Sequence, residues 1–474
     1  MIGWAAAAGG LMLAASLPYW LPGRVVALRV WIFERINGEE TITIPGSAVG
    51  AAALKAVYAH PAANGRSRGA ALSDLFWYWL SPGPEVHQEH IEASDHYEDV
   101  ARTTRRILAV PRQVAEEVTT RHMAAVLEEL EQADRGRARG VREVRLRDLM
   151  MPAWAGFYHE LVFGEPPSAA ARALIVGNAD DVISALKCCR LRHMATRDRL
   201  TRYLLGRVED GQVPHALPAH LSAREQALYL QGAFFNTAVV QMSEMMTHLL
   251  LVLAAHPGVQ HRLAADPGNE RYADQVINET LRLYPLFGIA HRITTAAIEV
   301  DQQTTIPAGS VLCFNYPEYH QTGFAEPGRF DPGRWERLRP REAHHIPFGV
   351  TGNRPCPAQG LAPVTIRAAA AELLRRYAVA TSVSHTRSIP HRGPCLLVPR
   401  AAEPRPLRGR LAWMRLRDRC EDTTRSLTQL VLGTYMVRDA RRQRLCSGYF
   451  EARDRGTQPA ALREESTGPR QKVS

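Results

Sequence analysis

The sequence predicts a mainly α-helical protein with a few small β-sheets, and three observations carry that prediction. Residues 221–255 read as one long apolar helix that ends before His256-Pro257. Residues 290–311 break instead into short strands, with a Pro307-Ala308-Gly309 turn between Ile306 and Ser310. Residues 361–375 are rich in alanine and leucine and follow a glycine- and proline-rich loop that holds Cys356. The loop thus puts a sulfur near a helix N-terminus, where free backbone N–H groups favour a thiolate.

Composition bounds the rest. A chain of 474 residues, 46% hydrophobic and 22% charged, is globular and buries a large core. Seven cysteines form no C-x-x-C pair, which argues against a disulfide scaffold or a structural zinc site and for a reducing, cytoplasmic setting. The formal charge of +10 is uneven: residues 401–474 hold 16 Arg or Lys against 9 Asp or Glu. No basic reading element accompanies it, so no nucleic-acid partner is implied. Such a tail is either a solvated surface or attracts an acidic redox partner or an anionic membrane.

In chain order, residues 2–21 are uncharged and could contact a membrane weakly, but Pro18 and Pro22 should interrupt a helix. We therefore read residues 1–24 as an apolar N-terminal segment, 25–400 as the body and 401–474 as a basic extension. Residues 41–44 alternate like a strand, residues 51–58 suit a short helix, and residues 64–69 suit a loop. Residues 75–80 are a dense aromatic run before Pro82-Gly83-Pro84. Helical patterns follow over 97–130 and 141–210. Residues 276–283 form a further helix in which Glu279 and Arg282 share a face. Residues 396–398 suit a last strand. In the extension, 411–437 suits a helix and 451–474 suits disorder.

The loop Phe348-Gly349-Val350-Thr351-Gly352-Asn353-Arg354-Pro355-Cys356 resembles the haem-binding loop of the cytochrome P450 monooxygenases. Two further segments match in order. Glu279-x-x-Arg282 lies 77 residues before Cys356 and resembles the family's Glu-x-x-Arg pair, and Pro327-Gly328-Arg329-Phe330 resembles its Pro-Glu-Arg-Phe segment. The resemblance covers roughly residues 40 to 400. It implies a P450-like fold with a C-terminal extension, haem b as cofactor, and Cys356 as the iron ligand. Glu279, Arg282 and Arg329 would form a structural network. Phe348, Arg354 and Arg292 would contact the haem. The family's histidine–arginine pair on an earlier helix is missing, since His96 has Val100 at that spacing, so Arg102 or Arg105 would substitute. No C-x-x-C-H occurs, so the haem would be non-covalent.

The sequence departs from the family twice. The phenylalanine-to-cysteine step is eight residues where seven is usual, and Ala358 replaces a glycine. On the long helix, the acid and alcohol that relay protons fall on Val240 and Gln241, whereas Asn236-Thr237 looks like a relay pair one turn early. Either the helix is locally irregular or the relay is missing. Gln241, Thr237 and Asn236 are thus the candidate proton-handling residues. Phe234, Phe235, Ala238, Leu286 and Phe287 are candidates for an apolar substrate pocket.

The resemblance implies a monooxygenase acting on a largely apolar small molecule. No flavin, nicotinamide or iron–sulfur motif is present, so a separate ferredoxin and its reductase would supply electrons. Two other classes stay open: a thiolate-haem enzyme driven by peroxide or needing no reductant, and a descendant that keeps the fold for binding.

Overall fold

The structure is a computed structural model that describes residues 2–37, 41–66, 71–80, 86, 91–133, 140–401 and 406–456. The Pro82-Gly83-Pro84 turn, the end of the 64–69 loop and residues 457–474 lie outside the described residues.

In order, the elements are α1 (Ile2–Asn37), β1 (Thr41–Ile44), α2 (Leu54–Ala59), α3 (Ala71–Leu80), α4 (Asp95–Leu108) and α5 (Arg112–Ala133). Then come β2 (Arg142–Arg145), α6 (Leu146–Phe163), α7 (Ala169–Leu186), α8 (Met194–Glu209), α9 (Ala223–Leu230) and, after a π-helical segment, α10 (Val239–Ala255). There follow α11 (Pro257–Ala265), α12 (Glu270–Leu283), β3 (Ile289–Ile293), β4 (Ile298–Glu299), β5 (Thr305–Ile306), β6 (Val311–Asn315) and α13 (Tyr316–Tyr319). The chain continues with α14 (Ala362–Arg376), β7 (Tyr377–Ala380), β8 (Pro394–Pro399), α15 (Arg408–Gln443) and α16 (Leu445–Asp454). The described strands form small sheets ordered β1-β6-β3, β2-β8-β7 and β4-β5.

The long central helix starts where its sequence says it should. Ser222 accepts from the Glu225 amide and Glu225 caps back onto Ser222, which satisfies the free donors of the first turn. The helix is not regular throughout: Gln231–Ala238 is π-helical. Among the described residues, Ala223–Ala255 is the one helix apolar and long enough to cross a membrane, and 78% of its apolar window is buried in the protein. It packs on α6, α12 and α14, and together with them supplies more than half of the main core. A separate core, with Leu54, Tyr58, Leu312 and Phe314, lies under the first sheet.

The chain ends correct the expected boundaries. Helix α1 runs through Pro18 and Pro22 without ending, so residue 24 falls inside it. Each proline removes one helical hydrogen bond, but α1 lies along α15 and draws support from that contact. Helix α15 is longer than expected, and α16 makes residues 451–454 helical where disorder was expected. Helix α16 buries Cys446 and Phe450 against Trp77 of α3, so the expected aromatic run is partly core of this extension. Asp74 accepts from the Cys446 and Ser447 amides at 2.8 and 3.0 Å and anchors the start of α16.

Candidate functional site

A cavity of about 880 Å³ lies between the central helix, the Cys356 loop and β3. Its size is within the range of small-molecule sites, about 300–1,000 Å³. Cys356, Phe348, Ala358 and Ile366 line it from the loop and α14, and Ala233, Phe234, Ala238 and Gln241 from the central helix. Helices α1 and α15 also reach it, through Arg29 and Val30 and through Gln429 and Val437.

The cysteine loop is built to hold one shape. The Cys356 amide donates to the Phe348 carbonyl at 2.8 Å. Gly349 has φ +78°, a left-handed conformation that favours glycine, and a Cβ there would meet the Tyr58 hydroxyl at 3.2 Å. The longer phenylalanine–cysteine spacing is taken up in a turn closed by the Asn353 amide on Val350 O at 3.1 Å. Asn353 then donates to the carbonyls of Tyr58 and Ala63 at 2.9 and 3.0 Å, which ties the turn to the sheet side. Arg354 has φ 49°, uncommon for a non-glycine. Its Nε donates to Asn64 and its guanidinium lies 3.9 Å from the Tyr97 ring centroid, while the residue still borders the cavity. Tyr158 on α6 also lines the cavity. Burial pushes its pKa up, and negative charge on Cys356 pushes it further.

Arg292 on β3 is buried and borders the same cavity. It donates to the Tyr58 hydroxyl at 2.9 Å and to the His291 carbonyl at 3.0 Å, but its buried Nε has no hydrogen-bond partner. A buried arginine bordering the cavity that the cysteine loop also lines suits a group bearing both a soft-ligand metal and carboxylates. The residues present therefore fit a haem. Cys356 would ligate its iron, Arg292 would meet a carboxylate, and Phe348, Ala358 and Ile366 would pack against the macrocycle.

Arg102 and Arg105 do not join this site. They sit on the outer side of α4, 68% and 52% exposed, near Asp99 and Glu98. Their helix carries a buried apolar stripe, including Val100, Ile107 and Leu108, and both arginines fall on its solvent side. Phe235 is not a pocket residue either. It is fully buried in the main core, whereas Phe234, Ala238, Leu286 and Phe287 do line the cavity.

The π-helical turn decides the candidate proton-handling residues. Asn236 borders the cavity, but its amide is engaged elsewhere: Oδ1 accepts from Asn178 at 2.7 Å and Nδ2 donates to the Leu80 carbonyl at 3.1 Å. Gln231 extends this buried polar knot to Asn178 at 3.0 Å and to Thr201. Thr237 and Gln241 line the cavity. The wider π turn lets Asn236 aim at α7 while the helix beyond it continues in regular register.

The ion network near the loop contains one substitution of roles. Glu279 accepts from Arg282 Nε and Nη2, both at 2.9 Å, from the Asp331 amide at 3.0 Å, and from Trp335 Nε1 at 3.0 Å. The third side chain is Arg334, whose Nε reaches Glu279 at 2.9 Å. Arg329 is 64% exposed and pairs with Glu326, and it contributes only its carbonyl, which accepts from Arg282 at 3.1 Å and Arg334 at 3.2 Å. The spacing Pro-Gly-Arg-aromatic occurs twice, at 327–330 and 332–335. A tryptophan that carries its own N–H donor was the signal for the second. Pro332–Glu336 forms a 3-10 turn capped by Asp331, which aims Arg334 inward.

Comparison with known proteins adds the following. Residues 224–403 match the family model described as Cytochrome P450. A putative cytochrome P450 135B1 of Mycobacterium tuberculosis is 29% identical over 213 residues, covering 42% of this chain and 44% of that protein. Cyclooctat-9-en-7-ol 5-monooxygenase of Streptomyces melanosporofaciens is 34% identical over 124 residues, covering 22% of this chain and 27% of that protein. The matches thus span less than half the length of these relatives. A six-coordinated cytochrome P450 from Thermus thermophilus superposes with TM-score 0.56 at 20% identity, over 73% of this chain and 90% of that one. A zebra fish cytochrome P450 superposes with TM-score 0.57 at 15% identity, over 73% and 89%. At these identities the superpositions establish the fold.

Proposed function

We propose that this chain, whose residues 224–403 match the Cytochrome P450 family model and whose fold superposes on P450 structures, is a haem-thiolate monooxygenase oxidising a largely apolar small molecule. The observation that carries the reading is the meeting, in one cavity, of the Cys356 loop, the Ala233–Ala238 wall and the buried Arg292 side chain. Bound haem b would supply the activation of dioxygen and the oxidation of a C–H bond. The chain's own residues do the rest. Cys356 presents the sulfur, and the hydrogen-bonded loop around it fixes where that sulfur sits. Phe234, Ala238, Met245, Leu281 and Leu286 give an apolar wall that excludes water and takes an apolar substrate. Gln241 offers an amide at the wall to orient a water that carries protons inward. Glu279, Arg282 and Arg334 keep the approach to the cysteine loop rigid. Electrons would come from a separate ferredoxin and its reductase. Exposed Met12, Tyr19, Trp20 and Trp31 on α1 support peripheral membrane contact.

The test is a reduced-minus-oxidised CO difference spectrum of the full chain beside Cys356→Ser. The expected result is a thiolate-type band in the wild type that the variant lacks. Correctly folded wild type without that band would overturn the reading.

A second reading has a specific observation behind it. The Asn236 amide is engaged with Asn178 and Leu80, and the nearest glutamate on the central helix, Glu244, is held by Arg147 and by Lys187 at 2.8 Å. Neither is free to pass protons into the cavity, which favours peroxide as the oxidant. Turnover with ferredoxin and reductase, set against turnover with hydrogen peroxide alone, separates the two.

A further inference from the structure

One part of the cavity wall is cationic rather than apolar. Arg387, on the irregular segment between β7 and β8, lines the cavity beside Ser388, Phe287 and Gly288. Its guanidinium lies flat on Gly288: Cζ, Nη1 and Nη2 are each 2.8 Å from where a Cβ on Gly288 would stand. Only glycine leaves room for it there. Arg387 makes no hydrogen bond and no ion pair with any described residue. It is accessible, yet burial lowers its pKa and no neighbouring acid opposes that. Both statements hold if its open face is the one turned to the cavity.

The surroundings do not neutralise it. Lys187, also on the wall, shares the single carboxylate of Glu244 with Arg147. Three cations therefore face one anion. The nearby imidazoles add no negative charge: burial lowers the pKa of His248 and His385, the latter to about 3, so both are neutral near pH 7.

A guanidinium partly removed from water without a counter-ion is costly. Its planar fork is matched by a carboxylate, which accepts two parallel N–H bonds. We propose that Arg387 is an anion subsite of this cavity, and that the molecule bound there is an amphipathic carboxylate. Its acid group sits on Arg387 over Gly288, and its apolar body lies along Phe287, Leu286 and Phe234. This rests on the reading of the cavity as the substrate site and names the substrate's class. One unpaired guanidinium suits a monoanion rather than a phosphate.

The probes are decanoate and decan-1-ol, titrated calorimetrically into the haem-loaded full chain. The wild type should bind decanoate about ten-fold or more tightly than decan-1-ol, as expected for a charge-assisted bidentate pair. Arg387→Gln should remove that preference and leave decan-1-ol affinity within about two-fold. Gly288→Ala keeps the charge but displaces the guanidinium, and should reduce the preference several-fold. Wild type with no preference, whether it binds both probes or neither, overturns the subsite. So does Arg387→Gln that keeps the preference. The CO spectrum of the same samples separates the two ideas: a normal thiolate band with no acid preference sinks the subsite alone. If folded wild type lacks the band, the monooxygenase reading fails. Titration of the haem-free chain then decides the subsite by the same two criteria.

Discussion

Glu279 on α12 and Glu244 on α10 are both buried carboxylates, and each faces two cationic side chains. Around Glu279 everything is matched. Arg282 and Arg334 spend their remaining donors on the carbonyls of His320, Pro327, Arg329 and Ala325, and none of these groups borders the cavity. Around Glu244 the matching is incomplete. Lys187 lies on the cavity wall, and Arg387 stands beyond it with no carboxylate of its own. The closed network is scaffold, because three segments of chain meet only if all its partners are present. The open one leaves positive charge pointing at a ligand space.

The largest effect should come from breaking the closed network. Glu279→Ala leaves two buried arginines uncompensated and should destabilise the protein by about 3–5 kcal/mol. Arg334→Ala should cost nearly as much, whereas Arg329→Ala should stay within about 0.5 kcal/mol, as for an exposed side chain. Denaturant midpoints of the three variants decide this, and equal losses at 329 and 334 would refute the assignment of Arg334.

Acid should act on both regions. Burial lowers the pKa of His320, beside the closed network, and of His385, beside the open one, each to about 3, against an ordinary value of 6.5. A depressed folded pKa means that the unfolded chain binds the extra protons, so stability is full above about pH 6.5 and declines as pH falls toward 3. Glu244 adds to this at lower pH. Burial pushes its pKa up, but Arg147 and Lys187 outweigh that and hold it below the ordinary carboxylate value. Its stabilisation is therefore present above that value and lost as pH falls through the depressed one. A stability curve that stays flat from pH 7 to pH 5 would contradict the histidine part.

A smaller effect is expected at the polar knot. Asn236→Ala leaves the Asn178 Nδ2 donor and the Leu80 carbonyl without the partner Asn236 gave them and should cost about 1–3 kcal/mol. Gln241→Leu should change stability least, by less than about 0.5 kcal/mol, yet should lower the yield of oxidised product per electron consumed. If Asn236→Ala instead changes only that yield, the roles given to the two amides are reversed.

Much of this was legible in the sequence because local rules wrote it. The apolar run over residues 221–255 and the break at His256-Pro257 mark the central helix without tertiary knowledge. The cysteine loop and the Glu279–Arg282 spacing could be found the same way, since each depends on residues within one turn or one loop. By contrast, Pro18 and Pro22 read as helix breaks, and only the contact with α15 shows why α1 continues.

The sequence by itself determined the helical class, the loop that presents Cys356 and the helix face shared by Glu279 and Arg282, because these follow from residues close along the chain. Tertiary structure decided everything that depends on which side of an element faces inward. Arg329 and Arg334 share a local pattern, yet only the turn capped by Asp331 brings one of them to Glu279. Asn236 and Gln241 are both amides on one helix, and the π turn with Asn178 across from it decides which is engaged. Arg387 and Gly288 lie 99 residues apart, and only folding sets a guanidinium against a missing side chain. The physical reason is common to all three: charge and hydrogen bonding take their value from burial and partners, and a sequence without its fold supplies neither.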